Sequence, residues 1–210
     1  MRDPSQSIKS EQLGQKYDAA APGWADKMRL LGYFDAYLGF LSADPAANLG
    51  DNALDVGCGT GAFAEARAVV QPHGSVTLLE PSENMLFRAK GALARRGIDA
   101  AVARNWLSEF KAVQPYDCIL AAHVLEHCTD PVDALRQMRE LAAPGATLWL
   151  VVSKPHWCNA IIWLQWRHRT YRPDAVAKML AQSGWGLEAE HGFPTGPPSR
   201  TSRGYRAVAI

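Results

Sequence analysis

The chain has 210 residues, 48% of them hydrophobic, which is enough to bury one sizeable core and little for two. Its 22 lysines and arginines against 21 aspartates and glutamates leave a net charge of +1, so no global field recruits nucleic acid and no such partner is expected. Cys58, Cys118, Cys128 and Cys158 form no C-x-x-C pair, MRDPSQSIKSEQ lacks the apolar core of a signal peptide, and no run approaches the ~18 apolar residues of a membrane span, which together read as a cytoplasmic protein with no transmembrane segment.

Residues 1–10 are expected to be disordered. A helical pattern over 13–42, broken at Pro22-Gly23, predicts an N-terminal helical cap across 11–43, ahead of the first strand. From about residue 51 short apolar runs alternate with amphipathic helices, the signature of a parallel sheet covered on both faces. Strands are predicted at Ala53–Val56, Val76–Glu80, Ala100–Ala103, Asp117–Ala121 and Thr147–Val152. Helices are predicted near 62–70, 82–94 and 131–141; Ser82 suits the N-cap of the second, which carries Met85, Leu86, Ala89 and Leu93 on one face. Residues 155–172 break the alternation as an insertion. Beyond them Pro173 can open and Gly184 can close a helix holding Val176, Met179 and Leu180, and two extended runs, Leu187–Phe193 and Tyr205–Ile210, complete the sheet. A single α/β domain over 1–210 follows, expected as a monomer or homodimer.

The stretch ALDVGCGTGAF carries the strongest chemical signal. Gly57, Gly59 and Gly61 let the backbone turn sharply off a strand and lie against a nucleotide-like cofactor, where a Cβ would obstruct both. Gly57, Gly59 and Ala62 also satisfy the dinucleotide pattern G-x-G-x-x-G/A, so an NAD-dependent oxidoreductase competes. Asp55, just ahead of Gly57, puts a carboxylate where it would repel a pyrophosphate and suit a cationic ligand. Glu80, about 20 residues beyond the first glycine, can accept both ribose hydroxyls and serves either cofactor.

HVLEH at 123–127 has the H-x-x-E-H spacing of inverzincin metalloproteases. That chemistry needs His123 and His127 on one helix face, Glu126 as general base and a third ligand from elsewhere. No third ligand stands out, and the segment directly follows the apolar ILAA of a strand, so a strand-end loop is the better reading.

Taken in order and spacing, ALDVGCGTG, LLEPSENML, YDCILAAHVLEHCTDP and LAAPGATLWLVV resemble class I S-adenosylmethionine-dependent methyltransferases, most of all the small-molecule group around the ubiquinone and menaquinone methyltransferases. The resemblance covers about residues 50–152. It implies a Rossmann-like seven-stranded, mostly parallel sheet with helices on both faces and the last strand antiparallel. It implies S-adenosylmethionine as cofactor, with S-adenosylhomocysteine as product, held by Asp55, Gly57, Cys58, Gly59, Glu80 and Pro81. The family usually places an Asp after the third strand for the adenine amino group; here ARNWL stands there, so Asn105 and Trp106 take that place. Tyr17 and Trp24 fall in helices that close over the methionine end in similar enzymes, Tyr17 toward the cofactor and Trp24 toward the acceptor. The acid that accompanies a metal in some quinone O-methyltransferases is missing, since Ala122 and His123 precede VLEH, and no metal is expected.

Methyl transfer from a sulfonium is an in-line displacement whose leaving group needs no proton, so the protein supplies positioning and, for some acceptors, a base. His123 after the fourth strand, also near the cofactor, and His156 after the fifth are the base candidates, with His127 near the substrate. The insertion SKPHWCNAIIWLQWRHRTYRPD resembles the segment that roofs the acceptor pocket. Trp163, Arg167 and Arg169 within it, joined by Arg203 and in company with Arg200 and Arg206, would form an apolar wall with guanidinium forks for a small anionic or aromatic acceptor. A quinone-like lipid is the second acceptor class. A cofactor-binding module without catalysis is the non-enzymatic alternative, and methylation of tRNA or protein a further one.

Overall fold

The computed structural model of the chain describes residues 23–45, 47, 49–156 and 169–210. The disorder expected for 1–10, Tyr17, and most of the insertion, including Trp163 and Arg167, lie outside those residues. Residues 23–30 are helical, and Gly32, with φ of 81°, turns the chain into helix α1 (Tyr33–Leu41). The chain continues as β1 (Asn52–Val56), α2 (Ala62–Val70), β2 (Ser75–Leu79), α3 (Glu83–Ala94), β3 (Ala101–Ala103) and β4 (Tyr116–Ala122). Then follow α4 (Pro131–Leu141), β5 (Ala142–Ser153), α5 (Pro173–Gln182), β6 (Trp185–His191), α6 (Gly196–Thr201) and β7 (Ser202–Ala209). The predicted caps are formed: the Ser82 side chain accepts from Met85 N, and Pro173 occupies the first turn of α5.

One sheet of seven strands runs in the order β3-β2-β1-β4-β5-β7-β6. Every neighbouring pair from β3 to β5 is parallel, and β7 is antiparallel to both β5 and β6. The expected architecture, with the last strand reversed, is therefore what the chain forms. It differs from the all-parallel 3-2-1-4-5-6 sheet of dinucleotide-binding folds, and the oxidoreductase alternative loses its fold.

Both sheet faces are buried, as the apolar strands demand. Ala53, Cys118, Leu120, Trp149 and Val151 pack under α1, α2 and α3, while Leu54, Ile119, Leu148, Leu150 and Tyr205 pack under α4 and α5. Helix α1 is seated by Phe40, whose ring meets Trp149 edge-on at 4.9 Å, and by Gly204, where a Cβ would stand 3.0 Å from that same ring. No helix among the described residues is long and apolar enough to cross a membrane. The carboxyl ends of β1, β2, β4 and β5 share one edge, where open α/β sheets bind ligands.

Candidate active site

The glycine loop leaves β1 with three left-handed residues in alternation: Gly57 at φ 61°, Gly59 at 52° and Gly61 at 85°. Two of them matter for different reasons. A Cβ on Gly61 would lie 2.9 Å from Cα and Cβ of Ala89, so this glycine lets α2 and α3 close on each other. A Cβ on Gly59 would meet nothing within 4 Å, so this glycine borders open space on the ligand side of the loop.

Glu80, at the end of β2, braces the loop. Its Oε2 accepts from Gly59 N at 3.2 Å and its Oε1 from Ser82 N at 3.1 Å, tying the loop to the start of α3. Asp55 sits differently from the expectation of a displayed charge. It is 1% exposed, and its Oδ2 accepts from Ala64 N at 3.2 Å, in the first turn of α2. Burial, opposed by that N–H and reinforced by the Glu80 carboxylate, pushes its carboxyl up to about 8. Asp55 is thus a buried acid under the loop that holds α2 in place. Cys58 is buried with it; burial pushes its thiol well up, so it packs as a thiol beside the Gly59 carbonyl.

Pro81 is half-buried at the β2 edge, and its carbonyl accepts from Arg104 Nε at 3.4 Å. Asn105 and Trp106 are half-buried beyond β3, and Asn105 Oδ1, the atom that would take an adenine amino group, accepts from Trp106 N at 3.0 Å and so caps its own turn. Trp24 is half-buried in the helical segment 23–30.

HVLEH is a strand end followed by a single 3-10 turn, Leu125–His127, so His123 and His127 do not share an α-helical face and the zinc-protease geometry is absent from this segment. His123 directly follows β4 in the left-handed region, φ 58°, with its N–H donated to Val151 O at 2.8 Å. Strain of this kind on a non-glycine residue belongs to sites where the ring's direction matters. The ring lies edge-on to Tyr33 at 5.6 Å. Its Nδ1 stands 3.0 Å from Glu126 Oε1 and 3.2 Å from Ser153 Oγ, and its Nε2 stands 3.5 Å from Ser202 Oγ. Burial alone would raise the Glu126 carboxyl, but the hydrogen bond and charge of His123 and the Ser153 N–H at 2.6 Å outweigh it and hold the carboxyl at about 2. Two acids on one sheet edge are thus driven apart, Asp55 toward the neutral form and Glu126 toward the charged one.

His127 is half-buried, and desolvation lowers it, partly offset by Glu126. His156 is half-buried beyond the end of β5. Among the described residues Arg169, Arg203 and Arg206 do not converge. Arg169 NH1 donates to the carbonyl of Thr129 at 3.0 Å, Arg203 pairs with Glu190 at 2.6 Å, and Arg206 pairs with Asp44 at 3.0 Å on the opposite face of the same strand. Residues three apart on a strand point to opposite sides, so Arg203 and Arg206 cannot join one clamp.

Sequence reasoning missed the α1 side of the site. Tyr33 OH is 3.0 Å from Thr201 Oγ1, which lies 3.3 Å from Ser202 Oγ, and Tyr37 packs 4.7 Å from the Phe63 ring. The signal was present as two tyrosines at i, i+4 in YFDAYLGFL, but nothing local tells which way that face turns.

The profile of a methyltransferase-domain family matches residues 54–148, which include the glycine loop, Glu80, Asn105 and the whole of HVLEH. A ubiquinone biosynthesis O-methyltransferase of Nitrosospira multiformis is 33% identical over 117 residues, 55% of this chain and 45% of that protein. The chain spans about half the length of the curated relatives it matches. Among solved structures, the N-methyltransferase NodS from Bradyrhizobium japonicum WM9 in complex with S-adenosyl-L-homocysteine aligns with a TM-score of 0.66 at 18% identity over 83% of this chain and 86% of that one. The magnesium protoporphyrin IX methyltransferase of Synechocystis PCC 6803 with bound S-adenosylmethionine aligns at 0.64 and 22% identity, covering 86% of this chain and 79% of the other. At these identities the structures bear on the fold.

Proposed function

We propose that this chain is a class I S-adenosylmethionine-dependent methyltransferase that moves a methyl group from that cofactor to a small-molecule acceptor. The observation that carries the reading is the edge shared by the glycine loop and His123: a backbone left open in front of Gly59, a carboxylate at Glu80 against it, and an acid-paired imidazole at the end of the neighbouring strand. These residues fit the cofactor. Glu80 would hold the ribose hydroxyls, Gly59 would admit the amino-acid portion while Gly57 lets the loop pass against Val124, and Asn105 and Trp106 would flank the adenine. When bound, S-adenosylmethionine supplies a methyl carbon activated by its sulfonium. Asp55 contributes by fixing the first turn of α2 under the loop. His123 takes the acceptor's proton, and Tyr33 supports its ring edge-on.

With Arg169 and Arg203 engaged elsewhere, an aromatic acceptor bearing an ionisable O–H or N–H is better supported than one recognised chiefly by its negative charge. The relatives named for ubiquinone biosynthesis keep a quinone-like acceptor as the second reading. Calorimetry with S-adenosylmethionine, S-adenosylhomocysteine and NAD tests the cofactor; no binding of the first two at millimolar concentration would remove the proposal. Incubating the protein with methyl-labelled cofactor and metabolite extract then separates an enzyme from a module that binds without turnover.

A further inference from the structure

We propose that Glu126 is a positioning residue that fixes His123 as the Nδ1–H tautomer, so that Nε2 is the basic nitrogen presented to the acceptor. The inference rests on the methyltransferase reading for its purpose, and on geometry for its content. A carboxylate oxygen 3.0 Å from Nδ1 would be repelled by a bare lone pair there and is attracted by an N–H. The same oxygen already accepts the Ser153 N–H at 2.6 Å, so it is turned toward the ring by the backbone of β5 rather than by chance. Oε2, the other oxygen, is buried and has no partner among the described residues. The backbone N–H of Glu126 itself also supports the carboxylate, and among the described residues no other side chain draws it away from the imidazole. Ser153 Oγ at 3.2 Å stands on the same side and can share the Nδ1 proton.

On the far side of the ring the only contact of Nε2 among the described residues is the Ser202 hydroxyl, at a long 3.5 Å. A nitrogen so loosely held can exchange that hydroxyl for an acceptor's O–H or N–H. The proton then passes from the acceptor to Nε2, its bonding pair staying on the acceptor atom that bonds to the methyl carbon, and the resulting imidazolium is neutralised through Nδ1–H by Glu126. Among the described residues the charged and titratable groups around the His123–Glu126 pair are His127 and Cys128 from the same loop, Tyr33 and Tyr37 from α1 and Tyr171 ahead of α5, while β5 and β7 offer the hydroxyls of Ser153 and Ser202. His127 is lowered by burial and adds little positive charge near neutral pH.

The test is a long-range proton–nitrogen correlation spectrum of the full chain labelled with ¹⁵N-histidine, with the His123 signals assigned by their loss in His123→Asn. The expected result is the Nδ1–H tautomer at neutral pH. In Glu126→Gln, which keeps the shape and one oxygen but loses the charge, the Nε2–H tautomer of His123 should gain population at the expense of Nδ1–H. Its kcat should fall on the order of ten- to a hundredfold, with the cofactor KM within about twofold of wild type. An Nε2–H tautomer in the wild type overturns the inference, and that spectrum decides even if Glu126→Gln does not fold. A folded Glu126→Gln with tautomer ratio and kcat unchanged overturns it as well. Should the tautomer be as stated and no acceptor be methylated, the functional reading fails and the assignment of His123 stands.

Discussion

Asp55→Asn isolates the cost of keeping an acid under the glycine loop. The folded carboxyl sits at about 8 against an ordinary value of 3.8, so across that window the unfolded chain releases a proton that the native chain retains. The stability tied to this proton is fully present below the ordinary value and is lost as pH rises toward the folded one. At about 1.4 kcal/mol per unit, Asp55 costs the wild type about 4 kcal/mol at pH 7, and about 3 kcal/mol of that appears between about pH 5 and pH 7. Asparagine cannot ionise, yet its side-chain oxygen can still accept from Ala64 N. Urea unfolding of both proteins across this range should therefore show Asp55→Asn gaining on wild type as pH rises. Other titrating groups cancel in the difference. A gap that stays constant with pH would mean that Asp55 is ionised in the native protein and that the loop rests on a charge.

Gly61→Ala should lower stability by about 1–3 kcal/mol in thermal or urea unfolding, because its Cβ would collide with Ala89 at 2.9 Å and the left-handed backbone adds strain. Gly59→Val should also cost stability, because valine is strained at φ 52° although the space is open, and should abolish cofactor binding by calorimetry in the folded variant. Glu80→Gln should weaken cofactor affinity by about 1–3 kcal/mol while Asp55→Asn weakens it less; the reverse order would show that the buried acid, not the braced one, contacts the ligand. Arg203→Gln should cost less than about 1 kcal/mol of stability, the Glu190 pair being a third exposed, and should leave the acceptor KM unchanged. A raised KM there would restore the anion clamp.

The alternation of apolar strands and amphipathic helices was legible because both faces of this sheet are buried, and a buried strand writes its burial into its own residues. Ser82 as a cap, Pro173 as a helix start and the glycines of the loop were legible for the same reason: each acts on backbone within a few residues of itself. HVLEH was read as a strand end because ILAA leads into it, and β4 does end at Ala122. What the sequence could not decide is what depends on distant chain. Asp55 looks like a charged ligand group in ALDVG; only the packing of α2 and its neighbours over it makes it a neutral acid. Glu126 and His123 are neighbours in sequence, but Ser153, Ser202 and Tyr33, which complete their surroundings, arrive from β5, β7 and α1. Arg203 and Arg206 look like one cluster and are parted by the pleat of a strand whose register is set by its partners. Local pattern determines which elements form, whereas protonation and convergence depend on desolvation and direction, and those belong to the assembled fold.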